Sequence, residues 1–272
     1  MREVSPTRFE KILLSIEHAE GKTSVQLMPM SGPEVFPEFR IRNQTIMEEI
    51  RIIEVKQSVF ADNDEKAEEL RQKLREKGCF LVNIMSSPGS GKTSILTRLI
   101  PALKDKYKIA VMEADIDSDV DARTIAEKTG AATIQLHTGG MCHLDAAMTR
   151  QGLDEVGAEA FDLIFLENVG NLVCPAEFDT GASKNLVILS VPEGDDKPLK
   201  YPLMFEKADV VLLNKIDVLP YFDFDVDKFS GYLKIRNPRA ELLPVSARSG
   251  EGLEHVVAWL EKAIEAWRKQ DA

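Results

Sequence analysis

The stretch Met85-Ser86-Ser87-Pro88-Gly89-Ser90-Gly91-Lys92-Thr93 carries the first residues able to do chemistry, and the chemistry is phosphate binding. Gly89 and Gly91 let backbone N–H groups turn toward phosphate oxygens, and a helix opening at Lys92 adds partial positive charge. Lys92 reaches β- and γ-phosphates, Thr93 supplies a hydroxyl for Mg²⁺, and Ser90 and Ser94 belong to the same nucleotide-binding set. The strict loop pattern has Gly where this chain has Ser86. Further on, Glu113, Asp115, Asp117, Asp119 and Asp121 crowd carboxylates that polyphosphate would repel unless a cation intervened. Asp115 is the expected Mg²⁺ ligand, with Asp121 next; the others are expected to be solvated loop acids. Glu167-Asn168-Val169-Gly170 adds a carboxylate that holds Mg²⁺ through water and a glycine N–H for the γ-phosphate, with Glu replacing the usual Asp.

Asn214-Lys215-Ile216-Asp217 selects the base. A carboxylate at Asp217 accepts both N1–H and N2–H of guanine, a pair that adenine lacks, so GTP is favoured over ATP and a kinase reading is disfavoured. Asn214 can bridge to O6 or N7, the Lys215 stem packs over the base, and Ser246-Ala247 places an N–H near O6.

Cys142, His143 and Cys174 form a different kind of donor set. Thiolate and imidazole suit Zn²⁺ or Ni²⁺ rather than Mg²⁺. Three ligands leave the site either open for transfer or completed by a second subunit across a two-fold axis, while each residue alone is equally compatible with packing. Gly170 and Cys174 are at most ~14 Å apart in an extended chain, so a γ-phosphate switch is expected to be felt at the thiol. Cys79 is expected in the core; His18, His137 and His255 have no assigned role.

Positioning these groups requires short apolar runs, and the runs are Phe80–Met85, Ile109–Met112, Thr133–Leu136, Leu163–Leu166, Leu186–Val191, Val210–Leu213 and Leu242–Val245. Separated by helical patterns, they predict a doubly wound α/β fold with a mostly parallel sheet covered on both faces. Ligands then bind beyond the strand C-termini, where the motifs lie. Residues 64–77 read as a charged surface helix stopped by Gly78. Residues 1–45 read as an appendage, with a short amphipathic helix from Ser5-Pro6 and a Pro-rich linker over 28–37; residues 46–272 read as the main domain.

The charge of −11 disfavours nucleic acid and anionic membrane. Three cysteines argue against a disulfide framework, and no apolar run approaches the ~20 residues of a membrane span, so a cytoplasmic protein is expected.

Taken together, the phosphate loop, Gly139-Gly140-Met141-Cys142-His143-Leu144-Asp145-Ala146, Glu167 through Pro175, and Glu193-Gly194-Asp195-Asp196-Lys197-Pro198-Leu199-Lys200-Tyr201-Pro202 resemble the HypB family of nickel-inserting GTPases, from about Ile52 to Trp267. Ser86 and Glu167 fit that family's pattern. The resemblance implies a P-loop NTPase fold of the signal-recognition and nitrogenase-iron-protein-like class, GTP and GDP binding with Mg²⁺, and a GTP-dependent homodimer. It also implies Ni²⁺ or Zn²⁺ on Cys142, His143 and Cys174 at the dimer interface. Expected partners are the small nickel chaperone HypA and the hydrogenase large-subunit precursor. Residues 1–50 contain no Cys and only His18, so the tight N-terminal nickel site of some members is not expected, and another nickel enzyme is a possible client. Lys92, Thr93, Asp115 and Glu167 are the expected catalytic set. Neither a catalytic Gln nor an arginine finger is identifiable, so turnover should be slow. The rival reading is a GTP-regulated assembly protein with a structural zinc.

Overall fold

The computed structural model describes residues 62–116 and 118–269, together with the backbone of 18–19, 22–23 and 51–54. The expected helix after Ser5 and the linker over 28–37 lie outside the described residues. Contacts divide the chain into two units, Met1–Met47 and Glu48–Ala272. Within the first, β1 (His18–Ala19) and β2 (Lys22–Thr23) pair antiparallel.

The second unit holds an eight-stranded sheet built from β3 (Arg51–Glu54), β4 (Phe80–Ser86), β5 (Ile109–Asp115), β6 (Ala132–His137), β7 (Leu163–Glu167), β8 (Lys184–Ser190), β9 (Val210–Asn214) and β10 (Glu241–Pro244). Its order is β10-β9-β8-β4-β7-β5-β6-β3 and every pairing is parallel. Each of the seven expected apolar runs became a strand, save for two last residues. Val191 of the fifth run instead opens a 3-10 turn, because Pro192 cannot extend the ladder, and Val245 of the seventh lies just past the end of β10. The edge strand β3 had no apolar run to announce it.

All seven residues of β4 are buried, as a strand covered on both faces must be. Phe80, Val82 and Ile84 pack on one face with helices α2 (Lys92–Leu103) and α9 (Leu253–Lys269). Leu81 points to the other face, where α1 (Asn63–Glu76) and α4 (Ala146–Val156) supply Leu70, Leu74, Met148 and Leu153. Acidic residues open α1, basic residues close it, and Gly78 at φ +68° follows. Toward the β10 edge, α7 (Pro202–Glu206) and α8 (Val226–Arg236) bury Phe205 and Phe229 against β8 and β9. The order of connections reverses beside β4: its successors β5 and β6 lie on one side, and β8, β9 and β10 on the other. That switch point opens a crevice at the C-terminal end of β4, where the phosphate loop sits.

Candidate functional site

The loop after β4 turns through two glycines in the left-handed region, Gly89 at φ +74° and Gly91 at φ +104°. Gly91 also needs its missing side chain for space, since a Cβ there would come within 2.4 Å of the Asn214 amide nitrogen. Asn214 is buried at the end of β9; its Nδ2 donates to Ser90 O at 2.8 Å and its Oδ1 accepts from Ala247 N at 3.1 Å. It therefore braces the phosphate loop against the base loop, which uses the side chain that the sequence had suggested for the base itself. Lys215, at φ +63°, donates through Nζ to Gly89 O at 2.6 Å, a third tie between the loops.

An open pocket lies beside these ties, lined by Gly91, Ser94, Lys215, Asp217, Ala247 and Arg248. Asp217 is held by Ser246, whose hydroxyl donates to Oδ1 at 2.6 Å and accepts from Ser249 N at 3.1 Å. Ser246 is fully buried and spent on this orientation. Arg98 on α2 donates to Ala247 O and Arg248 O at 3.2 and 3.1 Å, fastening the base loop to the helix that begins at Lys92.

Opposite the loop, Glu167 ends β7 almost wholly buried, at 1% exposure. Its Oε1 accepts from Thr93 Oγ1 at 3.3 Å and lies 4.0 Å from Lys92 Nζ. Among the described residues, Glu113, Asp121 and Glu167 form the group of three whose ligating atoms lie within 4.8 Å of one another. Burial pushes the Glu167 carboxyl up to about 7, and burial with the Glu167 charge pushes Glu113 up to about 9. One carboxylate oxygen of each is buried without a hydrogen-bond partner. Orphaned hard oxygens beside Thr93 are the donor chemistry that Mg²⁺ takes, so these residues fit that ion. Asp115 lies at the end of β5 outside this trio, with Oδ1 accepting from Ser118 N at 2.9 Å. Glu113 corrects the expectation of a solvated loop acid: β5 continues to Asp115, so residue 113 is inside the sheet and 3% exposed. Asp117 lies outside the described residues.

Beyond Glu167 the chain runs directly over the phosphate loop. A Cβ on Gly170 would lie 3.2 Å from Pro88 Cα and N, so a side chain here would crowd the loop. Asn171 Oδ1 then accepts from Val173 N at 2.8 Å and turns the chain into the short helix α5 (Cys174–Glu177). Cys174 opens α5 and Phe178 follows it; the Phe178 ring stacks on His143 with centroids 3.7 Å apart. Cys142 Sγ lies 4.0 Å from His143 Nδ1, and the neighbouring Cys142 thiol, followed by burial, pushes the Cys174 thiol up. Cys142 is thus the common neighbour of the other two donors. Burial holds the His143 imidazole below its ordinary pKa, and its buried Nε2 has no partner. Asp145 caps α4 by accepting from Met148 N at 2.8 Å, and thereby fixes the turn that presents Cys142 and His143. Cys79 is fully buried, and burial pushes its thiol up to about 12, consistent with packing.

One member of the site was missed in the sequence. Glu193 accepts from Ser190 N and Oγ at 2.7 and 2.8 Å, and its second oxygen accepts from Ser87 Oγ in the phosphate loop. The spacing Ser190-x-x-Glu193 is a capping box and could have marked the turn, though not its contact with Ser87.

Residues 80–244 match the nucleotide-binding domain of the CobW/HypB/UreG family. The hydrogenase maturation factor HypB of Rhizobium leguminosarum bv. viciae is 49% identical over 79% of this chain and 72% of its own length. That of Escherichia coli K12 is 44% identical over 79% and 74%. The crystal structure of Helicobacter pylori HypB in complex with nickel superposes with a TM-score of 0.70 at 41% identity, covering 76% of this chain and 97% of that one.

Proposed function

Because this chain belongs to the CobW/HypB/UreG family of nucleotide-binding proteins, with HypB maturation factors among its relatives, we propose that it is a GTP-hydrolysing metallochaperone that binds nickel and assists its insertion into a [NiFe]-hydrogenase. The observation that carries this reading is the path from Gly170, packed on the phosphate loop, to Cys174 beside Cys142, four residues later. A change in what the loop holds must move a segment that ends in a thiol donor.

In this mechanism Asp217, aimed by Ser246, reads guanine, and Asn214 and Lys215 keep the base loop in register with the phosphate loop. Backbone N–H groups of the glycine turn and the Lys92 ammonium neutralise charge that grows as water attacks the γ-phosphorus. Thr93, Glu167 and Asp121, with Asp115 as the alternative carboxylate, would hold Mg²⁺, which would supply positive charge against that developing on the phosphates. Gly170 offers its N–H to the γ-phosphate. With no catalytic Gln or arginine finger in the motif set, hydrolysis is slow and times a handover. Cys142, the His143 imidazole and Cys174 take nickel as cargo, and a second copy bound through GTP completes the coordination. The small chaperone HypA and the hydrogenase large-subunit precursor are the proposed partners, in the cytoplasm.

The test is nickel binding and transfer by wild type, Cys142→Ala and Cys174→Ala. Wild type should bind and release nickel in a GTP-dependent manner while both variants lose the transfer and keep GTP hydrolysis. Unchanged transfer by both variants would reject this assignment of the cargo site. Zinc bound with the same occupancy in either nucleotide state would instead support an assembly protein with a structural metal.

A further inference from the structure

Three asparagines form a row across the neighbouring strands β7, β4 and β8. Asn83 on β4 is 2% exposed, and Asn168, the residue after β7, is fully buried. Asn168 Nδ2 donates to Asn83 Oδ1 at 3.0 Å, and Asn83 Nδ2 donates to Asn185 Oδ1 on β8 at 3.0 Å. Asn185 is directly opposite Asn83 in the register. Backbone groups at both ends fix the direction of this amide ladder. Val169 N–H donates to Asn168 Oδ1 at 2.9 Å, so only the Asn168 amino group is left to face Asn83. At the other end Asn185 Nδ2 donates to Lys207 O at 3.3 Å. Every bond therefore runs the same way, and no buried side-chain atom of the three lacks a partner.

The place of the ladder gives it a task. The last backbone bond between the β7 strand end and β4 is Asn168 N to Ile84 O at 3.0 Å, after which the chain leaves the sheet for Gly170. From that point the Asn168 side chain takes over, gripping Val169 ahead of it and Asn83 beside it. Asn168 stands between Glu167, which touches Thr93, and Gly170, which lies against Pro88. Apolar side chains at 83 and 168 would fill the same sheet without the desolvation that buried amides incur; what amides add is a fixed direction and register.

We infer that Asn83 is a positioning residue for the nucleotide switch: anchored on Asn185, it holds Asn168 and through it sets Glu167 and Gly170 against the phosphate loop. This rests on the GTP-hydrolysing reading proposed above. Asn83 touches neither the phosphate loop nor the base pocket, so its effect should be confined to the state that engages the switch.

The experiment measures single-turnover GTP hydrolysis, affinity for GDP and for a non-hydrolysable GTP analogue, and the thermal midpoint, for wild type and Asn83→Leu. GDP affinity should stay within about twofold, while hydrolysis and analogue affinity each fall about tenfold or more. A merely structural role would lower the thermal midpoint and leave the ratio of analogue to GDP affinity intact, and that result in folded protein would overturn the inference. If Asn83→Leu does not fold, the half-buried Asn185 serves: Asn185→Asp keeps the acceptor for Asn83 Nδ2 and should retain the switch, whereas Asn185→Leu should lose it. Equal behaviour of those two variants would likewise overturn the inference. A wild type unable to hydrolyse GTP would reject the GTPase reading and this inference with it; an active wild type with unaltered variants rejects the ladder alone.

Discussion

Glu113 and Glu167 share a buried corner of the sheet with one unpartnered oxygen each, and proton uptake is the response available to them without a cation. Both folded pKa values are raised above the ordinary carboxylate, to about 9 and about 7. Between the ordinary value near ~4.3 and those raised values the folded state therefore binds more protons than the unfolded one, and stability falls as pH rises. The stabilising contribution is complete below the ordinary value and is lost through the folded ones, at up to about 1.4 kcal/mol per pH unit per group. We expect nucleotide-free, metal-free Glu113→Gln to gain stability relative to wild type from about pH 5 to about pH 9, read as the difference in thermal midpoints. A constant difference would contradict the assignment. Mg²⁺ with GDP should flatten the wild-type profile, because carboxylates that hold the ion no longer take up protons. Asp217 permits a second prediction at this scale. Asp217→Asn should weaken GTP binding by about 10- to 100-fold, as expected for losing a charged bidentate acceptor, without altering the fold. The place of Asp217 beside the pocket was legible because its signal is local, four residues at a strand exit. Glu113 was not: a carboxylate inside a strand reads as solvent-facing until the length of β5 is known.

At the scale of elements the apolar runs announced seven strands because a parallel sheet covered on both faces leaves no polar alternation to confuse with helix. The edge strand β3 was silent, since a four-residue edge with two isoleucines carries no run. Contacts between loops distant in sequence were equally silent: Asn214 on Ser90, Glu193 on Ser87 and Arg98 on Ala247 depend on how strands are ordered, which no single motif encodes. The close approach of elements predicts where small changes become large. Gly91→Ala puts a methyl against Asn214 at a backbone angle suited to glycine, and should abolish both GTP and GDP binding in an equilibrium titration. By contrast Trp267 on α9 packs edge-on against Phe80 at the start of β4, with the Arg75 guanidinium 4.3 Å from its ring. Trp267→Ala should cost about 3–5 kcal/mol of unfolding free energy and leave the ratio of GTP-analogue to GDP affinity unchanged. A changed ratio with stability retained would show that α9 takes part in the switch.

For the whole molecule, two chemistries occupy one end of the sheet. Hard oxygen donors lie beside Thr93 of the phosphate loop, while one thiol, Cys174, follows a few residues after Gly170 and meets Cys142, next to His143, from the segment after β6. The donor types were legible from the sequence, as was the closeness of Cys174 to Gly170 along the chain. Their spatial relation was not, because it depends on the stack of Phe178 on His143 and on the turn set by Asn171. Linkage makes the consequence reciprocal: if GTP changes nickel affinity, nickel must change GTP affinity by the same factor. The most direct test is an equilibrium nickel titration of the protein saturated with GDP and with a non-hydrolysable GTP analogue, with Cys142→Ala as the control. The proposed account predicts affinities at least about fivefold apart, a difference that disappears in the control. Identical affinities in the two nucleotide states would contradict it.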